Sequence, residues 1–273
     1  MTQESPVAGQ ASRAESATVL VTGGAGFIGS HIVDRLVALG HRVRVLDNLH
    51  AGRVENLASV RDRIELRIGD LRDRAAVDQA VAGSDIVVHM GGNASVPESV
   101  ADRTYDFEAN ALGSFNVADA MVRHQVRRIV FASSAAVYGP PRYTPVDEAT
   151  RSASRSPYGG SKVAAERTSS LTHAPSVSRW QCSASSTPTD RASARTSPTT
   201  LARSWRATRI AEVLGDGEQR RDYSFVSDTL SPSCWRRPRP SKGRPWNVAG
   251  GRAVSIRELV GAILTHSSFE TPK

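Results

Sequence analysis

Between Thr18 and Glu166, short apolar runs alternate regularly with amphipathic stretches. The apolar runs are five or six residues long and rich in Val and Ile, as is typical of buried strands. They lie at Thr18–Thr22, Arg42–Leu46, Ile64–Ile68, Asp85–Met90 and Arg128–Ala132. Helical spacing of the apolar residues is found at Phe27–Leu39, Arg74–Val81, Val100–His124 and from Tyr158 onward. Strands that alternate with helices predict an α/β fold of the Rossmann type, with a doubly wound parallel sheet.

The apolar pattern stops at about Thr168. Residues 169–200 mix Ser, Thr, Pro, Ala and Arg without a period, which is typical of a disordered linker. Residues 1–17 are also polar and carry Glu4 and Glu15, which is typical of a disordered tail and not of a signal peptide. The predicted organisation is a tail at 1–17, a Rossmann domain at 18–167 and a small, disrupted C-terminal domain at 168–273.

A second hypothesis for the C-terminal domain is that parts of it are translated in the wrong reading frame. Both cysteines and three of the four tryptophans fall in two unpatterned segments, 168–209 and 229–242. Patterned sequence returns between and after them, at Val213–Gln219 and at Gly243–Gly251. With G+C-rich codons, a one-base shift permits an apolar strand in the first segment and a helix in the second. The hypothesis predicts compensating insertions or deletions in the DNA that encodes residues 160–250, which resequencing would detect.

The overall charge would by itself suggest a nucleic-acid partner, since the net charge is +8 and the pI about 10.2. The charge is concentrated, however: Thr168–Arg209 carries six arginines and one acidic residue, and Leu230–Arg244 carries five basic residues and no acid. Because the remainder is slightly acidic, we predict no nucleic-acid partner. No apolar run approaches the roughly 20 residues that cross a bilayer, so no membrane partner is predicted either. Two cysteines make no disulfide framework, which favours a cytoplasmic location.

Spaced glycines connect the first predicted strand to the first predicted helix. Gly24 would permit a tight turn, Gly26 would let backbone N–H groups approach a pyrophosphate, and Gly29 would let the helix pack closely. The positive end of the helix would then face the phosphates. The second strand is followed by Asp47, about 20 residues on, where a carboxylate can bind both hydroxyls of an adenosine ribose and repel a 2′-phosphate. The pattern therefore favours NAD over NADP.

Tyr158 and Lys162 stand four residues apart at a helix start and share one face of that helix. An ordinary phenol has a pKa near 10, too high for a base at neutral pH. A nearby ammonium and a positive nicotinamide ring would both lower the pKa of the phenol. Ser134, at the end of a predicted strand, would bridge the substrate oxygen and Tyr158. The simpler interpretation of Ser134 is a strand-end serine bonded to the backbone.

With these motifs, the chain resembles the extended short-chain dehydrogenases, in particular the NAD-dependent epimerases and dehydratases of nucleotide sugars, such as UDP-glucose 4-epimerase. The resemblance covers residues 18–166 and resumes at 213–227 and 244–264. It implies that Ser134, Tyr158 and Lys162 are catalytic and that no metal takes part. It further implies an NAD site formed by Gly23, Gly26, Phe27, Ile28, Gly29, Asp47, Asn48, Asp70, Leu71, Met90, Gly91, Gly92, Asn110 and Lys162.

The resemblance also implies a reaction. In such epimerases the tyrosine takes the proton of the sugar 4-hydroxyl while C4 gives hydride to NAD, and the ketone then rotates and receives the hydride on its other face. We therefore expect an NAD-dependent nucleotide-sugar 4-epimerase of the UDP-glucose/UDP-galactose type. A homodimer through the helix at Val100–His124 and the helix from Tyr158 is expected as well. Residues 168–273 correspond to the family's substrate-binding region. Because they are unpatterned in part and end at Lys273, before that region normally closes, the printed sequence predicts very weak turnover or none.

Other activities stay open. Sugar 4,6-dehydratases of this kind carry Asp-Glu directly after the active-site hydroxyl residue, whereas this chain has Ala135 and Ala136. This departure favours epimerisation over dehydration. A decarboxylase or reductase of a related sugar nucleotide would keep the fold, and a retained ketone product or a net change in NADH would reveal it. A non-catalytic NAD-binding remnant would be indifferent to Tyr158→Phe.

Overall fold

The structure, a computed structural model, describes residues 16–140, 143–150, 152–171, 176–182, 216–226 and 245–266. Most of the predicted tail, residues 1–15, lies outside these ranges. The last residue of that predicted tail already belongs to the fold, because the carbonyl of Ala17 accepts a hydrogen bond of 3.0 Å from the Arg42 N–H. Within the described residues, no helix combines the length and the apolar character needed to span a membrane.

A parallel sheet forms the centre of the molecule, as predicted. Its seven strands among the described residues are β1 Thr18–Thr22, β2 Arg42–Asp47, β3 Ile64–Ile68, β4 Ile86–His89, β5 Arg128–Ser134, β6 Ser176–Cys182 and β8 Pro245–Val248. Their order in the sheet is β3-β2-β1-β4-β5-β6-β8. A separate antiparallel pair joins β7, Arg220–Asp222, to β9, Ala253–Ser255. The first six strands have the order typical of dinucleotide-binding sheets.

Helices cover both faces of the sheet. They are α1 Phe27–Ala38, α2 Arg74–Val81, α3 Val96–Ala101, α4 Arg103–Phe107, α5 Gly113–Arg123, α6 Pro157–Leu171 and α7 Ile256–His266. Two 3-10 helices, Val54–Arg63 and Ala135–Val137, and a π-helical turn, Glu108–Leu112, complete the described elements. One core cluster packs Leu20 against α2 and α5, and the other packs Val19 and Val21 against α1. The side chains of successive residues of β1 therefore point to opposite faces of the sheet, as the pleat of a strand requires.

The prediction of one continuous helix over Val100–His124 is wrong. The chain leaves helical geometry at Asp102, where φ is −130° and ψ is 91°. The Asp102 carboxylate accepts a hydrogen bond from the Tyr105 N–H at 2.9 Å and so caps the start of α4. The apolar spacing continues across this break, which explains why the pattern alone did not reveal it.

The prediction that residues 169–200 form a linker is wrong for its first part. Helix α6 continues to Leu171, and Ser176–Cys182 forms β6 between β5 and β8. All seven residues of β6 are in parallel register with β5, from Arg128 opposite Ser176 to Ser134 opposite Cys182. Pairing with a neighbour on each side stabilises the backbone of this strand without an apolar side-chain pattern. Residues 183–215 and 227–244, which hold most of the two unpatterned segments, lie outside the described residues, and the reading-frame hypothesis stays a prediction.

Candidate active site

The glycine turn between β1 and α1 lies at the carboxyl edge of the sheet and forms one side of the site. Gly23 has a φ of +66°, and a Cβ there would lie 2.7 Å from the backbone of Gly91. A Cβ on Gly29 would overlap the carbonyl oxygen of Gly23, so close packing of the helix on the turn requires glycine at position 29, as predicted. The left-handed residue of the turn is Gly23 and not Gly24, which corrects the predicted role of Gly24. Gly24 instead leaves room for the side chain of Val45.

The amino end of α1 is suited to an anion. Gly26 is its N-cap and makes no side-chain cap hydrogen bond, and the first turn holds no acidic residue. The first turn of a helix leaves backbone N–H groups without intrahelical partners, so uncapped N–H groups at Phe27 and Ile28 can be offered to a phosphate. The side chain of Phe27 is exposed beside this turn, whereas Ile28 packs against the core.

The acidic edge of the site lies at the carboxyl ends of β2 and β3. Asp47 is buried and accepts hydrogen bonds from the Ala25 N–H at 2.9 Å and the Leu49 N–H at 2.8 Å. Each carboxylate oxygen has a second lone pair, so both can still accept a ribose hydroxyl. Asn48 donates to Asp70 at 3.0 Å, which places the two predicted adenosine contacts side by side. Hydrogen bonds from Arg72 lower the pKa of Asp70 to about 2.

The loop after β4 closes against the glycine turn. The Gly91 N–H donates to the Thr22 hydroxyl at 3.1 Å, and the side chain of Leu71 lies against Gly91. Thr22 also contacts Nδ1 of His89 at 2.6 Å. Burial, together with the charge of Lys162, lowers the pKa of His89 to about 3, so this imidazole is neutral. His89 was not among the residues predicted from the sequence, although a histidine at the end of an apolar strand is a visible signal.

The predicted catalytic residues converge at β5 and α6. Ser134 ends β5 and accepts a hydrogen bond of 3.2 Å from the Ala136 N–H. Tyr158 and Lys162 are 8% and 6% exposed, one helical turn apart in α6. The Lys162 ammonium donates to the Ala132 carbonyl at 3.0 Å, two residues before Ser134. Burial lowers the pKa of Lys162 to about 8, against the charges of Asp106 and Glu166, which raise it.

Asn110 lies in the π-helical turn beside these residues. Its Nδ2 donates to Asp106 at 3.1 Å and to Ser161 at 3.0 Å. Its Oδ1 is buried without a hydrogen-bond partner and lies so close to Gly92 that a Cβ there would overlap it. A buried amide oxygen normally has a donor, so this atom is available to a bound group. π-helical turns are often found at functional sites. Asp106, Asn93 and Ser161 were missed by sequence analysis, because buried polar residues have no periodic signature.

A second group of contacts joins the C-terminal part to the site. The Tyr138 hydroxyl, four residues after Ser134, donates to Oδ1 of Asn247 in β8 at 2.9 Å. Asp222, at the end of β7, accepts hydrogen bonds from the N–H groups of Gly250 at 2.8 Å and Gly251 at 2.9 Å. These contacts hold β8 and the loop after it beside the carboxyl edge of the sheet, where ligands bind in folds of this type.

A comparison with known families agrees with this geometry. The sequence model of the NAD dependent epimerase/dehydratase family matches residues 19–249. The chain therefore belongs to the NAD dependent epimerase/dehydratase family, and its cofactor is NAD. The residues present fit that cofactor: the glycine turn leaves no room for a Cβ, the α1 terminus is uncapped, and the Asn110 oxygen lacks a donor.

Individual proteins similar to this chain include several UDP-glucose 4-epimerases. The UDP-glucose 4-epimerase of Mycolicibacterium smegmatis is 34% identical over 255 residues, which cover 89% of this chain and 80% of that protein. Other relatives named as 4-epimerases match over shorter stretches that cover 44–47% of their own length. The UDP-glucose 4-epimerase of Thermus thermophilus, solved with NAD, has a TM-score of 0.76 at 31% identity, with 91% of this chain and 82% of that chain covered.

A dehydratase is equally similar in structure. A double mutant of DesIV, a dTDP-glucose 4,6-dehydratase from Streptomyces venezuelae solved with NAD and DAU, has a TM-score of 0.79 at 28% identity. The match covers 90% of this chain and 80% of that chain. The overall fold therefore does not separate the two reactions, and the side chains of the site have to decide between them.

Proposed function

We propose that this protein is an NAD-dependent nucleotide-sugar 4-epimerase of the UDP-glucose/UDP-galactose type. The observation that carries the proposal is the placement of Tyr158 and Lys162 on one turn of α6, beside the strand that ends at Ser134. These three side chains lie at the same edge of the sheet as the glycine turn. The composition of the chain supports a cytoplasmic setting, because two cysteines make no disulfide framework.

The roles proposed for the three residues follow from their chemistry. The Lys162 ammonium is fixed by the Ala132 carbonyl one helical turn from Tyr158, and a positive charge there favours the phenolate. Tyr158 then takes the proton from a sugar hydroxyl and later returns it. Ser134 orients the same sugar oxygen. NAD, when bound, supplies the reversible two-electron oxidation that inversion of a hydroxyl-bearing carbon needs.

The dehydratase alternative lacks its acid and base at this site. The positions after Ser134 hold Ala135 and Ala136, and the Ala136 N–H donates to Ser134. Elimination of water needs a group that removes a proton and one that protonates the leaving hydroxyl. The test is to incubate the NAD-loaded protein with UDP-glucose and analyse the sugar by proton NMR. UDP-galactose alone supports the proposal, whereas a 4-keto-6-deoxy sugar establishes the dehydratase.

Cofactor selection provides a prediction for Asp47. Its buried carboxylate would face the 2′-phosphate of NADP, and like charges in contact cost several kcal/mol. Each 1.4 kcal/mol is tenfold in affinity, so we expect NAD to bind at least roughly 100-fold more tightly than NADP. Asp47→Asn should reduce this ratio roughly tenfold or more. Calorimetric titration of both dinucleotides measures it, with the exposed Asp62→Asn as the charge-matched control. A ratio near one in the unmodified protein would exclude this role of Asp47.

A homodimer is the proposed assembly, and an apolar surface on α4, the π-helical turn and α5 supports it. Phe107, Leu112, Phe115 and Val122 are all exposed, at 40–57%. Phe115 and Val122 are two turns apart, and the extra residue of the π-helical turn brings Phe107 to the same side. Contiguous exposed apolar side chains of this kind mark an interface, and a second copy presents the same stripe.

Phe115→Lys is therefore expected to convert the dimer to a monomer, since it places a charge in the centre of that surface. Light scattering coupled to size exclusion would measure the mass. Leu39→Lys is the matched control, because Leu39 is also exposed, at 55% against 45% for Phe115, but lies at the end of α1. A dimer that persists in Phe115→Lys, or a monomeric unmodified protein, would place the interface elsewhere or remove it.

A further inference from the structure

A fully buried carboxylate lies beneath the catalytic helix. Asp106 has 0% exposure, although three of the five residues of helix α4 are exposed. Its Oδ1 accepts from Nδ2 of Asn93 at 2.9 Å and from Nδ2 of Asn110 at 3.1 Å, and its Oδ2 accepts from the Ser161 hydroxyl at 2.7 Å. These partners come from the loop after β4, the π-helical turn and α6. One carboxylate thus joins three elements that meet at the site.

The contact with α6 falls between the two proposed catalytic residues. Ser161 directly precedes Lys162 and also lies 2.9 Å from the backbone oxygen of Tyr158. Asn110 donates to the same Ser161 hydroxyl, so the carboxylate and the amide together fix this turn of the helix. The orientations of Tyr158 and Lys162 about the axis of α6 are set by the turn to which both belong.

The partners of Asp106 are neutral, and its charge favours the ammonium of Lys162, the residue that follows its hydrogen-bond partner Ser161. Lys162 is buried, and burial disfavours its ammonium form. Asp106 on α4 and Glu166 on α6 are the carboxylates that favour the ammonium, while His89 on β4 is neutral and Tyr158 on α6 is the proposed base. Buried charges are stabilised by pairing, so removal of one carboxylate lowers the pKa of Lys162.

We propose that Asp106 is a positioning residue for the reaction: through Ser161 it fixes the turn of α6 that carries Tyr158 and Lys162, and with its charge it keeps Lys162 an ammonium. The inference rests on the proposed epimerase function for its kinetic part. The effect on Lys162 is a property of the protein alone and can be measured without a substrate.

The chain offers a direct measurement, because it contains only three lysines, Lys162, Lys242 and Lys273. In protein labelled with ¹³C at the lysine ε-carbon, Lys162→Met identifies the signal of Lys162, and its titration is followed from pH 6 to 10 (a range spanning the expected value of about 8). In Asp106→Asn we expect this titration to move down by about one pH unit, a tenfold loss of ammonium relative to amine. Asp102→Asn is the matched control, since Asn also caps a helix and Asp102 is exposed.

Kinetics on the NAD-loaded protein add the second readout. Asp106→Asn should lower kcat at pH 8 by roughly fivefold, move the alkaline limb of the pH profile to lower pH and leave KM within about twofold. Ser161→Ala removes the tether without a change in charge, so it should lower kcat several-fold at all pH values with an unchanged Lys162 titration. Ser161→Thr, which keeps the hydroxyl, should restore most of that loss.

The outcomes separate the two proposals. A folded Asp106→Asn whose Lys162 titrates as in the unmodified protein overturns the charge role. If Asp106→Asn does not fold, Ser161→Ala decides: a kcat and a pH profile equal to those of the unmodified protein overturn the positioning role. A shifted Lys162 titration in a protein that converts no sugar nucleotide would contradict the epimerase function and leave the link between Asp106 and Lys162 intact.

Discussion

Replacement of Tyr158 by Phe should lower the rate of sugar epimerisation by about a thousandfold, within the range of roughly 10²–10⁴ that general acid–base catalysis contributes. Only the hydroxyl is removed, from a side chain that is 8% exposed and held in α6, so the fold and NAD affinity should be retained. Because the unpatterned segments of the C-terminal region predict very weak turnover or none, the rate should be measured in single-turnover experiments with protein in excess of UDP-glucose.

Tyr143→Phe is the matched control for that experiment. Tyr143 is exposed in the loop after the active-site strand, and its hydroxyl donates to Asp147 at 2.8 Å. The control should epimerise at the rate of the unmodified protein. An undiminished rate in Tyr158→Phe would show that another group takes the sugar proton, and the assignment of the base would have to be abandoned.

Lys162→Met is expected to abolish activity and, at the same time, to stabilise the protein. The ordinary pKa of 10.5 falls to about 8 in the folded state, so folding at pH 7 has to hold a buried ammonium. At 1.36 kcal/mol per pKa unit, the buried ammonium lowers the free energy of unfolding by on the order of 3 kcal/mol, and Lys162→Met removes this destabilisation. Part of the gain is offset because the Ala132 carbonyl loses its donor, so we expect a net stabilisation of about 1–3 kcal/mol.

The stabilisation expected for Lys162→Met should decrease as the pH rises, because the lysine pKa differs between the folded and the unfolded protein. Between pH 8 and 10.5 the unfolded chain holds the lysine proton and the folded chain has lost it, so the cost in the unmodified protein shrinks as the pH rises through this interval. Urea unfolding at pH 7 and pH 10 would therefore show a large stability difference between Lys162→Met and the unmodified protein at the lower pH and a small one at the higher. A difference in the free energy of unfolding between Lys162→Met and the unmodified protein that is the same at pH 7 and pH 10 would contradict a buried, charged lysine.

The sheet and the dinucleotide turn could be predicted from the sequence because local pattern determines them. The bounds of β1 and α2 agree with the predicted ones, and Gly29 packs as its position suggested. Strand β6 could not be predicted, because it is paired through its backbone on both sides and needs no apolar alternation. The break at Asp102 depends on one side-chain cap, which a continuous apolar spacing conceals.

For the candidate site, sequence reasoning found residues that belong to motifs and missed those that support them. Ser134, Tyr158 and Lys162 lie where a strand end and a helix start were expected. Asp106 and His89 stand inside an amphipathic and an apolar stretch, and only the three-dimensional contacts show that each is buried and hydrogen-bonded. Their importance arises from long-range pairing, such as that of Asp106 with a serine 55 residues away, which no local pattern contains.

The most direct test of the proposed reaction uses UDP-glucose labelled with deuterium at C4 of the sugar. The NAD-loaded protein, in excess over this substrate in ordinary water, should form UDP-galactose that keeps the deuterium on C4, because the carbon is oxidised and reduced at one site without exchange with solvent. Tyr158→Phe should form none in the same time. Loss of the label to solvent, accumulation of NADH with a ketone product, or no conversion after prolonged incubation of a folded, NAD-loaded protein would contradict the proposal.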